Sequence, residues 1–394
     1  MALEIAMKKV KDDVATKYQL HKQHLLDQSK ADTVLEVVEN ILGLHATSAS
    51  TPYLSLFARM KQFQRSMLDQ ELYIKRNLIR LGFMRRTLFI LTTKLAPIAF
   101  QATRLSEAQS IQLLEGWNIP RSEYQRLAES VFTVLKDGAQ PLRIIKEAMS
   151  PGLVRTLERQ IGKNISRMTN VNIALTVLIQ QGKVFSEKYR DPIMTRHENR
   201  YALTRTIYPN LNLEPLTTEE ALTQLVKHYI RVYGPVTEQD MAWWTGLGKT
   251  AIQSVMTALE PKLLSIRIKK HPEDYVMLES DYTALKKFKA PRTLPVLLLP
   301  YEDPYPKGYQ LRNRFVTTEH EKHVYIGGEA QPTVFVKGKI VGTWNRVFEE
   351  PGETITVTLF QRVGRGEKNE IIAQGKAIGK MMTGKDSDVV LKTV

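Results

Sequence analysis

Residues 41–60 read ILGLHATSASTPYLSLFARM, and the point where helix gives way to extended chain in this stretch decides the layout around it. Upstream, Val34, Val38, Ile41 and Leu42 recur at i, i+4, i+7 and i+8, one face of a helix that Gly43 closes. Downstream, Thr51-Pro52 reads as an N-cap followed by proline at the first helical position, and Tyr53, Leu56, Phe57 and Met60 give the next helix its buried face. A third helical stretch, ELYIKRNLIRLG (71–82), runs to Gly82 and into RTLFILTT (86–93), whose Leu, Phe, Ile and Thr content suits a strand. Three short helices followed by a strand outline a winged helix.

His45 and Thr47 sit at the junction. On a helix continued past Gly43 they would point about 200° apart, because each residue turns by about 100°. In an extended chain they share one face, with Ala46 opposite. Two such side chains beside a basic stretch can hold a water. They also fit a capping or packed histidine, with Thr47 bonded to local backbone.

The pattern recurs twice. Residues 122–136 and 141–149 are amphipathic helices, NVNIALTVLIQQG (170–182) is a third, and KVFSE and RYALTRT are strands flanking a polar loop at 188–199. TEEALTQLVKHYIRVYG (218–234), TEQDMAWWTGLG and KTAIQSVMTALEP are again helical, and LLSIRIKK and DYVMLES are strands about the turn HPED. After KKFKAPRT, PTVFVKGKIVGTWNRV, ETITVTLFQRV and EIIAQGKAIGKMM alternate with period two around the turns KGK and GRGEKN. The expected fold is therefore α+β: three tandem winged-helix (helix-turn-helix) domains at 1–112, 113–213 and 214–286, then a β-rich, barrel-like domain at 287–394.

Composition narrows the function. The chain has 394 residues, 43% hydrophobic and 25% charged, with a formal net charge of +15. That excess points to a polyanionic partner. No apolar run approaches the roughly 18–20 residues that span a bilayer, and MALEIAMKKVKDD lacks the apolar core of a secretory signal. With no cysteine, and eight histidines lacking His-x-x-x-His or His-x-His spacing, no metal site is expected. GLGKT (246–250) lacks the glycine five residues before Gly248 that a phosphate loop requires, so it reads as a helix start, and no cofactor is expected.

Positive charge concentrates in two stretches. Between Arg59 and Arg86 eight Lys/Arg face only Asp69 and Glu71; from Arg155 to Arg205 ten Lys/Arg face four acids. Both fall on the expected third helices and wings, the surfaces a helix-turn-helix offers to duplex backbone. Arg59, Lys75, Arg76, Arg80, Arg85, Arg86, Arg159, Lys163 and Arg167 are the candidate DNA contacts here. Trp243, Trp244 and Trp344 are expected in the core.

GLHATSASTPYLSLFARM, LYIKRNLIRLGFMRRTLFIL, LLLPYEDPYPKGYQLRNRF and QPTVFVKGKIVGTW together resemble the bacterial winged-helix DNA glycosylases of the AlkZ/YcaQ type. The motifs are Gly43-Leu44-x-Ala46, Leu54, Arg59, Met84-Arg85-x-Thr87, Asp303-Pro304-Tyr305, Gly308-Tyr309, Arg312 and Gly342-Thr343-Trp344, and the resemblance runs from about residue 15 to about 365. It implies three winged helices around DNA, a C-terminal β-domain, and excision of cationic alkylated purines, in some members also of bulky or crosslinked adducts. The family's catalytic motif, glutamine, an apolar residue, then glutamine or aspartate, falls on His45-Ala46-Thr47, so this chain departs from it at both functional positions.

The resemblance implies a monofunctional, metal-free and cofactor-free glycosylase acting on damaged double-stranded DNA, as a cytoplasmic, nucleoid-associated monomer. His45 would accept a proton from the attacking water and Thr47 would orient it. Asp303, with Glu302 second, is the candidate carboxylate for the sugar cation; Asp303 also fits a turn residue before Pro304. Tyr309, Arg312 and Arg314 are expected on the same DNA-contacting surface. The competing expectation, favoured by the missing glutamines, is a winged-helix DNA-binding protein without catalysis.

Overall fold

The computed structural model describes residues 7–162, 164–188, 199–349 and 352–394. The first unit follows from the junction at 41–60. Helix Val34–Asn40 is capped by the Thr33 hydroxyl, which accepts from the Glu36 amide. Leu42 and Gly43 then turn the chain with φ of 63° and 98° into a two-residue strand, Leu44–His45. A Cβ on Gly43 would meet Leu91 Cδ2 at 2.6 Å, so close packing and backbone sign both call for glycine there. Helix Thr51–Phe57 begins after Ser50, one residue earlier than expected. The Thr51 hydroxyl, free of the cap, donates to the Tyr301 carbonyl at 2.8 Å.

The third helix ends sooner than periodicity implied. Arg65–Asp69 passes through a π-type turn at Gln70–Ile74, and Leu78–Gly82 is a strand antiparallel to Leu88–Thr92. The apolar residues of 71–82 suit either form, and pairing with the facing strand decides for the sheet, burying Leu78, Ile79 and Leu81. Leu44–His45 adds to Leu88–Thr92 on the other side, completing a three-stranded winged-helix sheet.

The plan repeats. In the second unit helices Arg121–Leu135, Leu142–Glu147 and Asn170–Gln180 pack on strands Gln140–Pro141, Asn199–Leu203 and Val184–Lys188. A hairpin, Thr156–Ile161 with Asn164–Thr169, is inserted before its third helix. Arg159 and Arg167, expected on that helix or its wing, lie on this hairpin instead. Of the polar loop expected at 188–199, residues 189–198 lie outside the described residues.

In the third unit, helices Thr218–Tyr233, Glu238–Thr245 and Lys249–Leu259 precede strands Leu263–Ile268 and Tyr275–Leu278. Gly248 caps Lys249–Leu259, so GLGKT is the expected helix start. Strand Lys8–Val10 from the N-terminus pairs parallel with Leu263–Ile268, tying the chain's beginning to this third wing.

The C-terminal region is a five-stranded sheet, in order Leu297–Leu299, Thr333–Val336, Lys339–Glu349, Gly352–Leu359 and Asp388–Thr393. The last two strands run parallel. A 19-residue helix, Arg365–Thr383, makes their crossover, as a parallel pair requires. This corrects the strand reading of EIIAQGKAIGKMM. Ile371, Gly375, Ile378, Gly379 and Met382 form one buried helical stripe, and the glycines that mimicked turns let the helix approach Val389 and Ser387. Trp344 from this sheet and Leu44 from the first wing share one apolar core.

Candidate active site

His45 is fixed by its neighbours in the first wing. It lies at the end of strand Leu44–His45 opposite Phe89, whose ring meets the imidazole edge-on at 5.3 Å. Only 2% of the residue is exposed, and neither ring nitrogen has a hydrogen-bond partner among the described residues. Buried polar atoms without partners are uncommon in folded proteins. The ring is held neutral: burial first, then the charges of Lys307 and Arg85, lower its pKa to about 4. An uncharged imidazole keeps one lone pair able to accept a proton.

The group facing it is Glu302, whose Oε2 lies 3.5 Å from His45 Nε2. Glu302 ends the turn after strand Leu297–Leu299 with φ of 56°, and its amide donates to the Ala330 carbonyl at 2.8 Å. Its Oε1 accepts from the Ala330 amide at 2.6 Å and from Lys307 Nζ at 2.8 Å. Oε1 is thus tied down while Oε2 faces the imidazole. Lys307 also donates to the Gly328 carbonyl, and burial lowers its pKa against the pull of Glu302.

Asp303 is engaged elsewhere. It is fully buried and takes a bidentate ion pair from Arg59, 2.7 Å on each oxygen. The Ser55 hydroxyl donates to it at 2.9 Å and the Tyr305 amide at 3.0 Å, capping the short helix Pro304–Lys307. With both oxygens satisfied inside the protein, Asp303 is not free to face a sugar; the carboxylate that faces His45 is its neighbour Glu302. Arg59 likewise cannot serve as a DNA contact. The pair joins helix Thr51–Phe57 to the turn that carries Glu302, and so sets Glu302 beside His45.

On the outer side of this cluster stands Trp243. The Arg85 guanidinium lies 3.9 Å from its ring centroid and that of Arg312 lies 5.1 Å away. The indole N–H donates to the Lys307 carbonyl at 3.3 Å. Trp244 and Trp344 are core, as expected, whereas Trp243 is half-buried at the site's edge. Thr47 lies past the end of the strand and is exposed, while His45 is buried. The shared face expected for the two is absent because the extended segment ends at His45.

The remaining candidates divide by burial. Lys75, Arg86 and Arg167 are exposed, Arg86 with φ of 57° at the tip of the first wing. Lys75 pairs with Glu71 and Arg167 with Glu158, each at 2.7 Å. Arg76 pairs with Glu187 at 2.6 Å, and Arg159 lies over Trp117. Arg80 is buried against Tyr73, Arg314 donates to the Gln19 side chain at 2.6 Å, and the Tyr309 hydroxyl donates to the Tyr233 carbonyl at 2.8 Å. Arg314 and Tyr309 are buried with internal partners and Arg80 is buried against Tyr73, so none of the three lies on the surface expected to meet phosphate. Lys163 lies outside the described residues. Lys307 escaped the sequence reading; its signal was its place five residues after Glu302, across a helix that begins with proline.

No His, Cys, Asp or Glu grouping among the described residues could hold a metal, and no helix there is long and apolar enough to cross a membrane.

The same architecture occurs in a known protein. The Streptomyces sahachiroi DNA glycosylase AlkZ superposes with a TM-score of 0.73 over 98% of this chain and 100% of that one, at 17% identity. Comparison with curated protein sequences finds no match. The family model for DNA glycosylase AlkZ-like matches residues 38–381, from within the helix before His45 to the last turn of the C-terminal helix. The chain therefore belongs to the AlkZ-like DNA glycosylase family, DNA-binding repair enzymes that hydrolyse N-glycosidic bonds.

Proposed function

We propose that this glycosylase excises alkylated, cationic purines from double-stranded DNA, acting as a monomer in the cytoplasm with His45 and Glu302 at the reacting sugar. The reading rests chiefly on the 3.5 Å approach of a neutral, unpartnered imidazole to a carboxylate whose other oxygen is anchored. Alkylation at N3 or N7 charges the purine, so it leaves with the bonding electron pair and needs no proton. The Glu302 carboxylate stabilises the oxocarbenium-like sugar as that bond breaks. Water then attacks C1′ and gives its proton to His45, whose low pKa leaves it unprotonated at neutral pH.

His45 stands where glutamine stands in the pattern the sequence resembles, and Thr47 where glutamine or aspartate stands. Glu302 supplies the carboxylate that the His45-Ala46-Thr47 motif lacks. Lys307 holds Glu302, and Arg85, Arg86 and Arg312 are the wing and edge cations that fit DNA phosphates. Because His45 and Glu302 are nearly inaccessible, an extruded nucleotide gains entry by displacing Trp243 and its flanking arginines.

Single-turnover incubation with duplexes bearing N7-methylguanine, N3-methyladenine or a bulky purine adduct, scored by strand scission at abasic sites, tests this. Wild type releases at least one such base. Glu302→Gln and His45→Leu slow release by about 10²–10⁴-fold with duplex affinity kept, while His45→Gln retains more activity than His45→Leu. Tight duplex binding with no release from any substrate would instead establish DNA binding without catalysis.

A further inference from the structure

Four helices border a cavity of about 790 Å³ that does not include His45 or Glu302 in its lining: Asp12–Lys22, Val34–Asn40, Thr218–Tyr233 and Glu279–Lys287. Its size suits a small organic ligand, and none of these helices carries a residue of the proposed active site. Lys22, Lys30, Lys94, Arg231 and Lys287 line it against two carboxylates, Glu36 and Glu39. Only Lys94 has a carboxylate partner within ion-pair distance among the described residues, namely Glu39.

Lys22 is fixed on the wall by the carbonyls of Arg231 at 2.6 Å and Gly234 at 2.8 Å. Lys30 is held by the Ala58 carbonyl. Burial lowers both amines to about 8, against the pull of Asp281 on Lys22 and of Asp27 on Lys30, and burial likewise lowers His21, His24 and His228, which also line the cavity. These are the groups an entering anion would favour in their charged forms. Beside them the Phe288 ring stands 5.0 Å from His21 and 5.4 Å from Tyr18, an aromatic wall suited to a flat ring.

We propose that this cavity is a second, nucleotide-sized site that takes a phosphate ester bearing an aromatic base, the phosphate on Arg231, Lys287 and Lys22 and the base against Phe288. A free nucleotide and a nucleotide of a DNA strand share this chemistry. Calorimetric titration of the full chain with ADP, adenosine, inorganic pyrophosphate and a short duplex separates the sources. The variant Arg231→Glu/Lys287→Glu changes two exposed side chains. Lys286→Glu/Lys289→Glu carries the same charge change outside the cavity.

One-to-one ADP binding tighter than about 1 mM, weakened about tenfold for adenosine and for the cavity variant but not the control, supports a free nucleotide. No ADP binding, with duplex affinity lowered about tenfold by the cavity variant alone, supports a DNA strand. The proposal is overturned if both variants behave alike, or if ADP fails to bind and the cavity variant keeps full duplex affinity.

Discussion

His45 makes the protein acid-sensitive in a defined window. In the unfolded chain its pKa returns to about 6.5, whereas in the fold burial holds it at about 4. The unfolded state therefore binds more protons between these values, and stability falls as pH drops from about 6.5 towards 4. The full effect is roughly 3 kcal/mol, present above that window and lost below it. Urea unfolding at pH 7.5 and pH 5 should show a larger acid loss for wild type than for His45→Gln. An equal loss in both would mean that the imidazole titrates in the fold near its ordinary value, and would overturn the lowered pKa. At the same scale, Gly43 and Glu302 show why local geometry, and not residue type alone, sets the site: Gly43 turns the chain through a positive φ two residues before His45, and Glu302 does so itself.

Among the elements, the Arg59–Asp303 ion pair holds the turn 300–307 against helix Thr51–Phe57. Removing one partner of a buried pair leaves an uncompensated charge at about 3–5 kcal/mol. Asp303→Ala should lower unfolding free energy by that order and reduce base release as well, since Glu302 loses its support. A variant within about 1 kcal/mol of wild type would show the tie to be dispensable.

Much of this level was legible in the sequence. The helix of 34–40 and the strand of 88–92 follow from periodicity and end signals. The strand 78–82, the inserted hairpin and the C-terminal helix did not. Short apolar runs suit helix and strand alike, and glycines that favour turns also favour close helix packing. At the candidate site, the sequence marks His45, Asp303 and Glu302 without saying how they are disposed; only the fold shows Arg59 paired with Asp303 and Glu302 facing the imidazole. Pairing between residues so far apart leaves no trace in local pattern.

At the scale of the molecule, a net charge of +15 acts through the cations that remain on the surface. Arg86 at the first wing tip is exposed, without a carboxylate partner among the described residues. If it contacts a phosphate, Arg86→Ala should weaken duplex binding uniformly across sequences and reduce the slope of log affinity against log salt by about 1. The buried Arg314 should leave that slope unchanged. Filter binding between 50 and 200 mM salt, roughly the range in which such slopes are read, distinguishes them.

The division of the site between residue 45 and residue 302 also bears on the chain's synthesis. The first wing, which carries His45, leaves the ribosome well before Glu302 and Lys307 are added, so a nascent chain presents that basic wing with half of the proposed reaction centre. A copy clipped ahead of residue 300 would keep cations for the duplex and lose the carboxylate. If Glu302 stabilises the sugar cation as proposed, base release is thereby withheld from unfinished or clipped copies.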